Sequence, residues 1–359
     1  MANYVSVDLG YGYVKAISSS TGKRIVFPSL VGIGHERTVS SNIDGIHKQA
    51  DDLNNIHIVY DNKGEWFVGE LAQQESTSVS RIFERERFEH DYTHILLNVA
   101  IQLVTEGSSE PVYLSTGLPL DFYKSQAKDF QRSIVGVQPK IEWKSGPLKG
   151  LKMQTVIEKA LVFPQAVSAV YAALVNHDGK VIYPQYMKEG RLIALIDVGF
   201  RTTDFVVVEM GQNNAFKPIA RLSGTVDAGI VNLYDDIMTH FKTEADGADL
   251  QERYINRILR DYEISYRGKT IDFKDTIENS KKAIVASIVD RLKKVWKEEA
   301  DLFDAIFLAG GGGELIEHYI QPHFNGRLIK IQESQFANAI GYLRLGKAVF
   351  ESYQQKKAQ

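Results

Sequence analysis

Short apolar, β-branched runs alternate along the chain with longer stretches whose apolar residues recur at helical spacing, the pattern of an α/β protein. The clearest case is Leu192-Ile-Ala-Leu-Ile196 and Phe205-Val-Val-Val208, which flank the polar elbow Asp197-Val-Gly199-Phe-Arg-Thr202-Thr203-Asp204. Two strands joined by a polar turn are predicted there. The N-terminal segment Tyr4-Val-Ser-Val-Asp8-Leu-Gly10-Tyr11-Gly12-Tyr-Val-Lys15-Ala-Ile17 repeats the plan, and one and the same chain distance separates Asp8 from Asp197 and Gly10 from Gly199. A repeat of such long period is too wide for a solenoid and predicts two similar domains.

Between the repeats, Val26-Phe-Pro-Ser29 ends a strand and residues 32–55 are polar with the pattern of a loop. Ile56–Tyr60 and Glu65–Val68 form a hairpin about a Gly64 turn, in a small subdomain of about 29–75. Ile95, Leu96, Val99, Leu103 and Val104 mark a helix over 91–106, followed by a strand and turn at 112–119, a helix at about 121–134 and strands near 137–144 and 151–163. Phe163-Pro164-Gln165-Ala166 opens an Ala-rich helix with proline in its first turn, which puts Gln165 at a helix N-terminus. The polar stretch 176–191 divides the chain into domains of 1–180 and 181–359. In the second, Ser223–Ile230 leads into a helix to about His240, and 244–300 looks largely helical. Residues of about 227–300 form its small subdomain. A strand near 304–309, a four-glycine loop at Gly310, Gly311, Gly312 and Gly313 and a helix follow, and the C-terminal helix is expected to return to the first domain.

A chain of 359 residues needs more than one core, and an apolar fraction of 44% can supply two. No apolar run approaches the roughly 18–20 residues of a membrane span, and no basic-then-apolar leader opens the chain, so a cytoplasmic protein without membrane contact is expected. With no cysteine, a disulfide scaffold, a thiol nucleophile and a cysteine-held metal are excluded. The nine histidines show no ligand-spaced pair. A net charge of −3 with interspersed signs argues against direct nucleic-acid binding. The basic run Arg291–Lys297 falls on the polar side of a helix whose apolar side carries Ile284, Ile288, Leu292 and Val295.

The elbows carry the candidate chemistry. Glycine lets backbone N–H groups approach an anion, threonine hydroxyls can donate to phosphate oxygens, and carboxylates can hold hydrated Mg²⁺. Glycines at a strand-to-helix crossing, as at Gly310–Gly313, let a flat ligand or a phosphate lie on bare backbone.

Taken together, six segments resemble the actin-like ATPase superfamily and, within it, the plasmid-segregating ParM (StbA) branch. These are Val7–Lys15, Thr116–Leu120, Pro164–Ala166, Asp197–Asp204, Ala309–Gly313 and Phe336–Gly341, in the family's order. The resemblance implies two RNase H-like domains of the actin/Hsp70 type, each with a small inserted subdomain, and a Mg-ATP cleft between them, with GTP as the alternative nucleotide. It makes Asp8 and Asp197 the carboxylates that hold Mg²⁺ through water, Lys15 a phosphate contact, and Gln165 the residue that orients the attacking water. Gly10, Tyr11, Gly12, Gly199, Thr202, Thr203 and Gly310–Gly313 would line the nucleotide. Gln165 matches actin itself, whereas ParM carries Glu there; a glutamine can position water but cannot act as base. The implied function is a filament-forming, Mg-dependent ATPase whose hydrolysis weakens the filament. It would self-associate and move plasmid DNA through a centromere-binding adaptor. Two rivals share the nucleotide site. A sugar or acetate kinase would need a second substrate pocket with a carboxylate base, for which no motif is found, and an Hsp70-type chaperone would need a peptide-binding domain after about residue 350.

Overall fold

In the first sheet, the strand Asn3–Leu9 is buried along its whole length, because both faces of the sheet are covered. It pairs antiparallel with Tyr13–Ser18 and parallel with Val112–Leu118. Arg24–Pro28 extends the antiparallel side, and Val156–Pro164 and Gly136–Val137 extend the other. The second sheet repeats this plan: Leu192–Val198 pairs antiparallel with Thr203–Met210 and parallel with Ala305–Ala309, which Leu328–Lys330 follows. Its outer antiparallel edge is split, with Phe216–Pro218 and Gly224–Val226 each covering one end of Thr203–Met210.

The computed structural model describes residues 3–37, 52–62, 64–76, 78–81, 90–176, 179–212 and 215–358; of the loop expected over 32–55, residues 38–51 lie outside them. The chain forms two compact units, residues 1–165 with 338–359, and residues 166–337. It therefore passes from one unit to the other at Gln165/Ala166 rather than near 180, because the helix Val167–Leu174 buries Ala169, Val170 and Leu174 with Ile193, Leu195 and Phe307 of the second sheet.

Unit 1 has a second sheet, made of Val31–Ile33, Ile56–Tyr60, Glu65–Val68, Val79–Ser80, Ile141–Ser145 and Lys152–Met153. The expected hairpin at 56–68 is present, but the small sheet draws on residues well beyond 29–75: Ile141–Ser145 pairs with Ile56–Tyr60. Trp143, fully buried, donates its indole N–H to Gln102 on the helix Asp91–Val104 at 2.7 Å, so this sheet is fixed to the helix by a buried polar bond as well as by packing. The helix Ala337–Ala358 belongs to the same unit. Its Phe350 packs on Tyr4 and Tyr113, at ring separations of 6.0 and 5.2 Å.

In unit 2 the helices Ile230–Glu244 and Lys274–Trp296 share one core with Ala194, Ile196 and Phe205 of the sheet. Ile284, Ile288 and Leu292 face that core, which leaves Arg291, Lys293 and Lys294 of the helix to solvent. The region expected to be helical contains a hairpin, Glu263–Tyr266 with Lys269–Asp272. Its two-residue loop Arg267-Gly268 has positive φ at both positions, the turn that tight hairpins select. Two further expectations are corrected here. Gly311–Gly313 are not a loop but the first turn of the helix Gly311–Ile320, and Pro164 ends a strand instead of starting a helix.

Candidate functional site

In unit 1, Asp8 and Lys15 face each other across the first hairpin, and Lys15 Nζ lies 3.1 Å from Asp8 Oδ2. Both are mostly buried, Asp8 being 3% exposed, so the pair acts in a medium where charge interactions are strong. Gln165 extends its amide Nε2 to Asp8 Oδ1 at 3.3 Å, while its backbone N–H donates to Leu118 O at 2.8 Å. It follows directly on the strand Val156–Pro164, which runs parallel to Val112–Leu118, and that register puts Gln165 beside Asp8. Ala166 follows with φ 62°, a left-handed alanine that ends the strand and starts the next helix.

The turn Gly10-Tyr11-Gly12 has the carbonyls of both glycines already engaged. Gly10 O accepts from Ser29 Oγ at 2.7 Å, and Gly12 O accepts from Ser29 N at 2.8 Å and Arg81 Nη1 at 3.1 Å. A carbonyl held by donors repels an incoming anion less than a bare one, so the turn is prepared for negative charge. A Cβ on Gly10 would sit 2.7 Å from Tyr13 O; the turn closes only over glycine.

Unit 2 builds its hairpin the same way. Gly199 N–H donates to Thr202 O at 2.9 Å, and a Cβ on Gly199 would stand 2.8 Å from that same oxygen. The turn carbonyls are engaged by the start of the helix Ile230–Glu244: Ile230 N–H reaches Gly199 O at 3.3 Å and Val231 N–H reaches Phe200 O at 2.6 Å. The helix thereby satisfies two of its own otherwise unpaired N–H groups. Asp197, 9% exposed, stands directly across from Asp204, whose Oδ1 accepts from Thr225 Oγ1 at 2.6 Å. Thr202 is half-buried in the turn, whereas the Thr203 hydroxyl is in the core and donates to Ala228 O at 2.8 Å.

The glycine run lies against this hairpin. Gly310, at φ 86°, packs its backbone onto Val198 O and Asp197 Oδ1 so closely that no side chain fits, and its N–H donates to Ser334 O at 3.0 Å. A Cβ on Gly312 would stand 2.7 Å from Val198 Cγ1, so Gly312 brings the helix onto the strand. The carboxylate of Asp197 is thus set beside the start of the helix Gly311–Ile320, where the backbone dipole favours negative charge. Within unit 1 the structure brings together Asp8, Lys15, Gln165 and the Gly10–Gly12 turn; within unit 2 it brings together Asp197, Gly199 and Gly310–Gly313.

Ser29, Arg81 and Thr225 escape sequence reading. Ser29 follows Pro28, a position that signals only a strand end, and nothing local marks Arg81 as reaching Gly12. Thr225 is visible only once Gly224–Val226 is known to pair with the hairpin.

The fold and paired hairpins agree with comparisons to known proteins. Residues 6–167 match the family model of the N-terminal domain of actin-like proteins, and residues 195–321 match that of the C-terminal domain of the archaeal MreB-like actin homologue. The chain is an actin-like protein. Within that class it resembles the ParM type: a 15-stranded ParM filament from Clostridium botulinum is 26% identical with a TM-score of 0.82, over 97% of this chain and 99% of that one. A non-polymerisable quadruple mutant of the pCBH ParM is 25% identical with the same TM-score of 0.82, over 97% and 100%. The archaeal actin homologue Ta0583, solved with ADP, shares the fold at 20% identity and a TM-score of 0.76, over 96% and 99%. No curated protein matches the chain by sequence. Among the described residues no helix is long and apolar enough to cross a membrane.

Proposed function

We propose that this protein is a Mg-dependent ATPase that assembles into filaments with nucleotide bound and disassembles after hydrolysis, GTP being the alternative nucleotide. The observation that carries the reading is the pair of equivalent hairpins, each with a buried aspartate ahead of a glycine turn whose carbonyls are already hydrogen-bonded. The donor set fits Mg²⁺. Among the described residues no three His, Asp or Glu side chains gather into a protein-only cage, and one carboxylate ahead of each glycine turn suits an ion that keeps most of its waters. Asp8 and Asp197 are the residues to hold it. When bound, Mg²⁺ offsets charge on the phosphate oxygens.

Lys15 pairs with Asp8 in the protein alone and is placed to turn to a phosphate. Next to a carboxylate the Gln165 amide must present its NH₂, which leaves Oε1 as an acceptor to orient water. Gln165 therefore positions and does not deprotonate. Self-assembly is supported by the likeness to the ParM filament, and a head-to-tail contact that does not close generates such a polymer. The motif resemblance to the plasmid-segregating ParM branch makes plasmid DNA the proposed cargo, held through an adaptor, since the chain's interspersed charge gives it no direct grip on nucleic acid.

Pelleting and phosphate release with Mg-ATP and Mg-GTP test this together. The wild type is expected to sediment and to release phosphate. Gln165→Ala should sediment equally but release phosphate about 10- to 1,000-fold more slowly, roughly 1.4–4 kcal/mol of barrier. A protein that stays in the supernatant with every nucleotide removes the filament reading and favours a kinase.

A further inference from the structure

Gly117 precedes Leu118, whose carbonyl holds the Gln165 N–H, and it pairs in register with Phe163. The space a side chain at Gly117 would fill is taken by the phenol of Tyr342, which is fully buried. The Tyr342 ring also stacks on Phe163, 6.3 Å between centroids and 11° from parallel. One turn further along the same helix, Gly346 leaves room for Ser115, again closer than any Cβ could approach. The helix Ala337–Ala358 is therefore keyed into the strand pair that ends at Gln165, through one aromatic ring and one missing side chain on each partner.

This contact joins two places of functional weight. Tyr342 sits just beyond Asn338, where the chain re-enters unit 1, and Phe163 sits just before Gln165, where it leaves. Beyond the strand end, Ala166 is held at φ 62°, so the backbone around Gln165 is kept in place by its neighbours and not by its own preference.

We propose that Tyr342 is a positioning residue for Gln165: wedged into Gly117 and against Phe163, it holds the strand end so that the Gln165 amide stays on Asp8, and it links the hydrolytic step to the chain's second crossing. The inference rests on the ATPase reading for its kinetic arm only. Displacing the ring lets the end of Val156–Pro164 shift, and an amide that must place a water loses effect with a small displacement.

The test compares Tyr342→Leu, Tyr342→Phe, Gln165→Ala and the Tyr342→Leu/Gln165→Ala double variant, in the full chain. Tyr342→Phe keeps the ring and should release phosphate within about 2-fold of wild type. Tyr342→Leu should slow release about 10-fold or more with affinity for ATP within about 3-fold, and it should add nothing in the Gln165→Ala background. Multiplying effects in the double variant, or equal losses of affinity and rate, overturn the proposal. A wild type that releases no phosphate ends the ATPase reading, and amide hydrogen exchange then decides. Faster exchange at the Gln165 N–H in Tyr342→Leu, with the Asn3–Leu9 strand unchanged, upholds the wedge, and unchanged exchange at Gln165 overturns it.

Discussion

The two hairpins share a backbone and differ in charge. In the first, the residue across from the aspartate is Lys15; in the second, at the same spacing, it is Asp204. The first hairpin therefore carries its own cation, while the second opposes two carboxylates, one hydrogen-bonded by Thr225 and the other set beside a helix start. They also secure their turn carbonyls differently, the first with Ser29 and Arg81, the second with the N-terminal amides of a helix. A duplicated frame thus fixes where an anion can be met, and the residues laid on it decide how charge is balanced before a ligand arrives.

The comparison breaks most severely if the aspartates are not equivalent. Asp8→Ala and Asp197→Ala are each expected to lower Mg-ATP affinity by about 100-fold or more, roughly 3 kcal/mol, in calorimetric titration. An unchanged affinity in either variant would confine the metal chemistry to the other hairpin. A comparable effect, this time on stability, is expected from Lys15→Met, which leaves Asp8 buried without its cation. Urea unfolding of the nucleotide-free protein should show a loss of about 3 kcal/mol. A loss under about 0.5 kcal/mol would mean that Gln165 and the surrounding backbone already balance the charge. The smallest change sharpens the contrast from the other side. Asp204→Asn keeps an acceptor for Thr225 and removes one of two opposed charges, so the nucleotide-free protein should gain about 0.5–1 kcal/mol. Destabilisation instead would show that the doubled acid is favourable where it stands.

The hairpins were legible because an Asp-x-Gly elbow between β-branched runs has few other physical uses, and its recurrence revealed the duplication. Sequence was less informative where one signal serves two structures. Pro164 suits a helix start or a strand end, and only its pairing with Leu118 decides. Four glycines usually mean a loop, but packing of Gly312 on Val198 and Ile230 draws three of them into a helix. Arg267-Gly268 held a legible turn signal, hidden by helical periodicity on either side. The attachment of Ile141–Ser145 to the small sheet, and the reach of Arg81 to Gly12, are long-range pairings that no local pattern encodes.

The return of Ala337–Ala358 to the first unit bears on the order in which the protein is made. Residues 166–337 are continuous and can complete their core as soon as they leave the ribosome. Residues 3–165 emerge earlier, yet Tyr4, Tyr113 and Gly117 wait for Phe350 and Tyr342, which are synthesised only after the second unit. The unit that starts first is completed after the second, and during that interval its uncovered sheet face is the surface most in need of protection from aggregation.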